Sequence, residues 1–489
     1  MAEFPPPTAA AGEMADWDAV ETARAVRQGE VTPHEVVEQA IARAQQVQST
    51  VGGLATESYE QARASAASSR RPGDPRARGP LRGVPTAVKD LYDLQGVRTT
   101  FGSRASGTHI ATRTAPAVAQ LLGTGMVSLG KSAAPEYGMT PTTEPLGFPP
   151  TRNPWDTAHS TGGSSGGAAA LVAARVVPIA HATDGGGSIR IPASCCGLVG
   201  LKPSDGRLVD LDGNILLPVR ILASGVVSRT VRDTAAFFAA TEGGGPRRST
   251  MLPPIGAVTR PGTDRLRIAV VTASPVATID PEVLAVTRYT AHVLERLGHA
   301  VEEVSPPFAP GMGEDFVRYW GLLAAGLGPV GRHDVGRSFD AARFDPWTRG
   351  LAAHARASAW QLPGAIARLR AFRGEYAAFM SRFHLVVNPT IAILPPPLGW
   401  LDVELPFEEH RRRAVAFTPF TPAWNVSGAP AVSLPMGLSS TGLPIGVQLG
   451  AAMGAERLLL QTALALEEAV PFNRPLREIR TTEAFAAAG

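Results

Sequence analysis

A chain of 489 residues, 44% hydrophobic and 18% charged, carries enough apolar material for a large core. Its formal net charge is only +3, and Lys and Arg are scattered with no basic stripe among aromatics, which excludes a nucleic-acid-binding reading. No apolar run reaches the about 18 residues of a membrane-spanning helix.

The opening MAEFPPPTAAAGEM lacks the basic and apolar regions of a secretory leader, so the expected setting is the cytoplasm. Residues 1–13 are Pro/Ala-rich and expected to be disordered; residues 14–480 read as one domain, and 481–489 as a C-terminal tail. Thr32-Pro33-His34-Glu35 has the form of a capping box with proline at the first helical position. Val36, Val37, Ala40, Ile41 and Ala44 then recur at helical spacing.

Further on, VPTAV reads as a short strand that ends at Lys89. A helix over 115–122 precedes a buried strand, GMVSLG. In GGSSGGAAALVAARVV the glycines and serines come just before a small-residue helix. The strand VPIAHAT runs into TDGGGSIR. Residues 266–305 form a βαβ-like unit. Residues 310–382 turn helical, and the wider span 310–415 carries Trp320, Trp347, Trp360 and Trp400 and reads as a cap-like region. HLVVNPT, AVSLPMG and IGVQLG are strands, and GAERLLLQTALALEEA closes the chain as a helix. Strands alternating with helices place the chain in the α/β class.

The only cysteines, Cys195 and Cys196, are sequence neighbours. They are expected to be small buried thiols in a reducing compartment. The ten histidines are dispersed, with no H-E-x-x-H or C-x-x-C pattern, so neither a metal nor another cofactor is expected.

Three nucleophile or loop patterns are weak. GGSSG (162–166) matches G-x-S-x-G with Ser164 at its centre, but that motif follows a strand directly, and here a long polar loop precedes it. Its partner histidine would have to be His384, which opens an apolar strand, or His410, which lies in EEHRRR. Ser128-Leu129-Gly130-Lys131 matches S-x-x-K without the companion motifs, and GLVGLKPS lacks phosphate-loop spacing.

The glycines before Ser188 make a stronger case. Without Cβ atoms, successive backbone N–H groups can turn into one concavity beside the serine hydroxyl. A tetrahedral oxyanion needs such donors, each worth about 3–4 kcal/mol. Serine also needs a base. His181 is close in sequence but is expected to point away. Lys89, at the end of an apolar strand, would serve if burial brought it from about 10.4 to about 7–8.

Taken together, AVKD, GGSSGG and TDGGGSIRIPASCCGLVGLKPS resemble the amidase signature family of Ser–Ser–Lys hydrolases. GKSAAPEYG, TRNPWD and NVSGAPAVSLPMG…GLPIGVQLG extend the likeness over roughly residues 15–470. The resemblance implies a mixed, mostly parallel twisted sheet covered by helices on both faces. It implies Ser188 as the acylated nucleophile, Ser164 as a bridging serine on a cis peptide, and Lys89 as the buried base. Backbone N–H groups of Gly185, Gly186, Gly187 and Ser188 would form the oxyanion hole, with Ser165, Asp184 and Arg190 bracing it. Two departures stand out: Ala182 replaces a usual glycine, and Ala133 replaces a common asparagine, which is expected to reshape the pocket wall.

SIRIPASCCGLVGLKPS and TRNPWD look most similar to the nylon-oligomer hydrolase branch. The implied activity is metal-free cleavage of amide-type C–N bonds in bulky apolar or aryl amides or carbamates, with esters as side substrates. The implied partner is a small molecule, not a membrane, and homodimerisation is a family-level expectation. The alternative is a glutamine-hydrolysing amidotransferase subunit within a larger complex.

Overall fold

The computed structural model describes residues 14–68, 79–243, 252–306 and 311–472; the segments expected as a disordered start (1–13) and a tail (481–489) lie outside the described residues. Thr32 and Glu35 form the reciprocal capping box, with Pro33 as the first helical residue. The helix Pro33–Val51 turns Val36, Val37, Ala40, Ile41 and Ala44 inward, the stripe that a 3.6-residue period dictates.

The largest sheet has eight strands. From edge to edge they are Ala300–Glu303, Arg267–Val270, Leu385–Pro389, Pro444–Ala451, Ala431–Leu438, Val199–Lys202, Ala223–Ser228 and Ile179–Asp184. Alternate residues of a strand point to opposite faces. Ile268, Val270, Leu385 and Val387 accordingly join one buried cluster with Phe238, Leu294 and Leu460. Ala269, Val271 and Val386 join another with Tyr319, Phe372 and Trp424. Both faces are therefore apolar and covered, as an α/β architecture requires.

The sheet is mixed, but its pairing corrects the expectation of mostly parallel strands. Parallel ladders join only Ala300–Glu303, Arg267–Val270 and Leu385–Pro389; the remaining neighbours are antiparallel. The reason lies in the connections. The helix Pro281–Arg296 carries the chain from Arg267–Val270 to Ala300–Glu303, the crossover that parallel pairing needs. Ala431–Leu438 and Pro444–Ala451 are instead joined by a short turn, which only an antiparallel pair tolerates. Val199–Lys202 and Ala223–Ser228 are further strands that periodicity did not reveal, the first inside GLVGLKPS.

A second sheet places Val127–Ser132 between Leu54–Glu57 and Pro85–Lys89, antiparallel to the first and parallel to the second. Within 310–415 the helices Met312–Val335, Pro346–Ala357, Leu362–Met380 and Phe407–Phe417 are interrupted by the strand Leu385–Pro389 of the large sheet. That span therefore contributes a strand to the large sheet as well as helices.

Candidate active site

Lys89 closes its strand with its side chain fully buried. Its Nζ donates to Ser164 Oγ at 2.8 Å and to Thr183 Oγ1 at 3.2 Å. Burial drives the lysine down to about 7, while the negative charge of Asp184 pulls the other way. Desolvation wins because an ammonium loses its hydration shell there.

The Lys89 N–H donates to His181 Nδ1 at 3.3 Å, and His181 Nε2 meets Ser224 Oγ at 3.2 Å. Burial, with the nearby Lys89 and Lys131 charges, holds His181 at about 3. The ring is neutral at pH 7, and its free lone pair faces the Lys89 backbone. His181 is therefore directed at the lysine's main chain, a contact its sequence position did not suggest.

Ser164 lies just before the helix Gly166–Ala173, and the Gly163–Ser164 peptide is cis. Ser165 exchanges hydrogen bonds with the Thr183 backbone, donating to its carbonyl and accepting from its N–H, both at 3.3 Å. The serine loop is thereby tied to the strand Ile179–Asp184, which leads directly into the glycine run. Thr183, on that strand, touches both the lysine and Ser165.

Each of the three glycines answers to a different neighbour. A Cβ at Gly185 would fall 2.8 Å from Leu222 and 3.1 Å from Trp320. One at Gly186 would approach Phe316 to 3.1 Å. Gly187 has φ +133, and a Cβ there would lie 2.4 Å from Thr421 Oγ1. The loop is threaded between walls too close for side chains.

Asp184 organises this loop. Its carboxylate accepts from Gly187 N–H at 2.7 Å and Ile189 N–H at 3.1 Å. Gly187 N–H is thus already engaged, which corrects its expected place among the donors facing a ligand. Arg190 forks onto Asp184 with Nε and Nη2, each at 2.9 Å. Its remaining N–H groups reach the Thr421 carbonyl, Gln448 and Asn425, so all five guanidinium donors have acceptors. Burial alone would raise the Asp184 carboxyl, but the Arg190 charge beside it holds it at about 2. Thr421, Asn425 and Gln448 had no sequence signal of this role.

Ser188 lines a cleft whose space, counted together with the solvent it opens to, is about 960 Å³. Gly138, Met139, Gly186 and Ile191 line it as well, and Phe316, Trp320, Trp347, Leu351 and Val415 give it an apolar wall. Trp320 and Trp347 each donate their indole N–H to the Met139 carbonyl at 3.0 Å. His410 stacks on Trp347 with ring centroids 4.0 Å apart and meets Thr140 Oγ1 at 3.1 Å. His410 is thus buried against Trp347, and His384 pairs with the Arg267 backbone at an exposed strand end.

Other candidates fall outside the cleft. Lys131 is buried against Asp90 at 3.1 Å and Thr99 at 2.9 Å, while Ser128 bonds to the Gly130 carbonyl. Ala133 does not line the cleft; its backbone pairs with Gly53 and Gly167. Its expected effect on the pocket wall therefore falls away. Cys195 and Cys196 are free and buried. Among the described residues no His/Cys/Asp/Glu group is arranged to hold a metal, and no helix is long and apolar enough to cross a membrane.

Fold and site together describe an α/β enzyme whose polar groups meet at the floor of an apolar cleft. Comparison with known proteins gives it a family. The family model described as Amidase matches residues 35–460, and the chain belongs to the amidase family of hydrolases, which act on amide C–N bonds. It is 44% identical over 465 residues to a Mycobacterium leprae protein bearing the name amidase AmiC, covering 94% of this chain and 97% of that one. It is 35% identical to the 6-aminohexanoate-cyclic-dimer hydrolase of Paenarthrobacter ureafaciens, covering 93% of this chain and 95% of that one. A solved structure of a 6-aminohexanoate cyclic dimer hydrolase superposes with TM-score 0.86 at 32% identity, covering 95% of this chain and 99% of that one.

Proposed function

We propose that the protein hydrolyses bulky apolar or aryl amides, and carbamates of similar shape, through an acyl-enzyme on Ser188. The observation that carries this reading is the fully buried Lys89, 2.8 Å from Ser164 Oγ, beneath the cleft that Ser188 lines. Neutral Lys89 takes the Ser164 proton as Ser164 takes the Ser188 proton, and Ser188 Oγ attacks the carbonyl carbon. The N–H groups of Gly185, Gly186 and Ser188 receive the developing oxyanion, while Gly187 N–H stays on Asp184. The leaving amine takes a proton back through Ser164, and water cleaves the ester by the same relay. A lysine near 7 suits this work because a base is most effective when its pKa is close to the working pH.

The acyl or amine portion packs on Phe316, Trp320 and Trp347. The names carried by relatives support amide substrates of this kind: an acylamidase of Rhodococcus erythropolis is 32% identical, and a bacterial aryl acylamidase structure superposes with TM-score 0.79 at 27% identity. The largely apolar wall offers little to the side chain of free glutamine, which weighs against the amidotransferase alternative.

Intact-protein mass after exposure to a fluorophosphonate, with turnover of a nitroanilide and a nitrophenyl carbamate, tests the proposal. One adduct that disappears in Ser188→Ala, with release of either chromophore, is the expected result. An adduct that survives in Ser188→Ala and disappears in Ser164→Ala would move the nucleophile to Ser164.

A further inference from the structure

Among the described residues that line the cleft, Arg411 is the only charged one. Its surroundings decide what that charge does. Arg411 Nη1 donates to Glu314 Oε1 at 2.6 Å, across from the helix Met312–Val335, and its Nε donates to Glu408 Oε2 at 2.8 Å. Both helices line the cleft, with Met312, Gly313, Phe316 and Val317 from Met312–Val335 and Ala414 and Val415 from Phe407–Phe417. The pair therefore ties together two helices that line the cleft. Arg411 is about a quarter exposed and Glu314 about half, so both reach solvent.

The neighbouring charges are occupied elsewhere: Asp315 with Arg318 and Arg368, and Glu409 with Arg412 and Arg413. Arg411 is thus paired with two carboxylates of its own and has no unmatched charge to offer. A lone arginine in an apolar cleft would recruit a carboxylate, whereas this one is already neutralised. A ligand carboxylate would meet two like charges before it gained one opposite charge.

We infer that Glu314 and Glu408, by saturating Arg411, are specificity-determining residues that make the cleft reject ligands with a carboxylate on their distal end and accept neutral ones. This inference rests on the reading of the cleft as the substrate site. It adds a charge rule to the expected preference for apolar amides.

The test compares binding of 4-phenylbutanol and 4-phenylbutyrate, which present the same apolar body and need no turnover. Affinities are read at low ionic strength from the quenching of the cleft tryptophans and by calorimetry. Wild type is expected to bind the alcohol about tenfold more tightly than the carboxylate. The relative affinity for the carboxylate should rise in the order Arg411→Met, wild type, Glu314→Gln, and the double variant Glu314→Gln with Glu408→Gln. Each step should be roughly fivefold, and the spread should collapse in high salt because the groups are partly exposed. The ratio of the two ligands is the readout, so a loss common to both cancels.

A ratio indifferent to this series, or a gain for the carboxylate in Arg411→Met, would overturn the inference. Absence of saturable binding of the alcohol to wild type would overturn it too. Nitroanilide turnover with normal ligand ratios would leave the catalytic reading standing while this one failed. The ordered ratios without any turnover would do the reverse.

Discussion

The floor of the cleft and its wall are built on opposite principles. At the floor, Lys89, Asp184 and Arg190 are fully buried, and every donor on Arg190 has a designated acceptor. Moving any one group leaves another buried and unpaired, so the geometry is fixed by mutual satisfaction. The wall is held by a few polar anchors, above all the Met139 carbonyl, and otherwise by aromatic packing on helices with exposed faces. On the proposed reading the contrast separates two tasks. A proton relay demands fixed distances, whereas an apolar body is bound by area and tolerates shifts of the surface that holds it.

The sharpest way to break this comparison is to remove the base of the proposed relay. Lys89→Met retains the volume and the burial but has no lone pair. Its kcat on a nitroanilide should fall by about three to four orders of magnitude, at the upper range for loss of a general base. Fold should persist, because an apolar side chain suits that site better than a buried amine. Linkage gives this a sign. The folded lysine titrates near 7, well below an unfolded one near about 10.4, so between those values the unfolded chain binds more protons and wild-type stability rises with pH. Lys89→Met should therefore be more stable than wild type, most clearly at and below pH 7, with the advantage shrinking as pH rises toward 10. Denaturant midpoints across that range would check it; a variant less stable than wild type at pH 7 would contradict the account of desolvation.

Asp184→Asn attacks the floor through its brace. Arg190 would keep its buried charge and lose its counter-charge, and breaking such a pair costs about 3–5 kcal/mol. A large fall in the thermal midpoint is expected, together with loss of activity, since the Gly187 anchor goes as well. If Asp184→Asn unfolds no more readily than wild type, the floor is less tightly determined than its hydrogen bonds indicate.

How much of this was legible beforehand follows the same division. Lys89, Ser164, Ser188, Asp184 and Arg190 each sit in a short segment that resembles a family motif, and the structure joins Lys89 to Ser164 and Arg190 to Asp184. The helix stripe after Thr32 and most strands were equally plain, because their periodicity is local. Strand direction was not, since it depends on which distant segment lies alongside. Arg190 reaches acceptors between 231 and 258 positions away, and the Glu314–Arg411 bridge joins residues 97 apart. Spacings of that length leave no pattern in the chain. The glycine run was expected to offer backbone donors, but the diversion of Gly187 to Asp184 required a carboxylate folded back over the loop.

The pH profile of the wild type is a gentler test of the floor. If neutral Lys89 is the active form, kcat/KM should fall about tenfold per pH unit below about 7 and level off above it. The residual rate of Lys89→Met should lack that limb. A limb that survives the substitution belongs to another group.

The smallest expected effects lie in the wall, and they come from a single oxygen. The Met139 carbonyl accepts from both Trp320 and Trp347, so either indole can be lost while the other still satisfies it. Trp347→Phe keeps a ring against His410 and Phe407 and gives up one neutral hydrogen bond, worth about 0.5–1.5 kcal/mol. KM for an apolar anilide should rise only a few-fold, with kcat near the wild-type value. Trp320→Phe should behave alike. The double variant differs in kind, because the carbonyl loses both donors and its burial becomes a penalty. Its KM should therefore exceed the product of the two single effects, a coupling that a double-mutant cycle reads directly. Strict additivity would mean that the indoles act only as apolar surface. A super-additive loss would make Met139 the point from which the helices of the wall are hung.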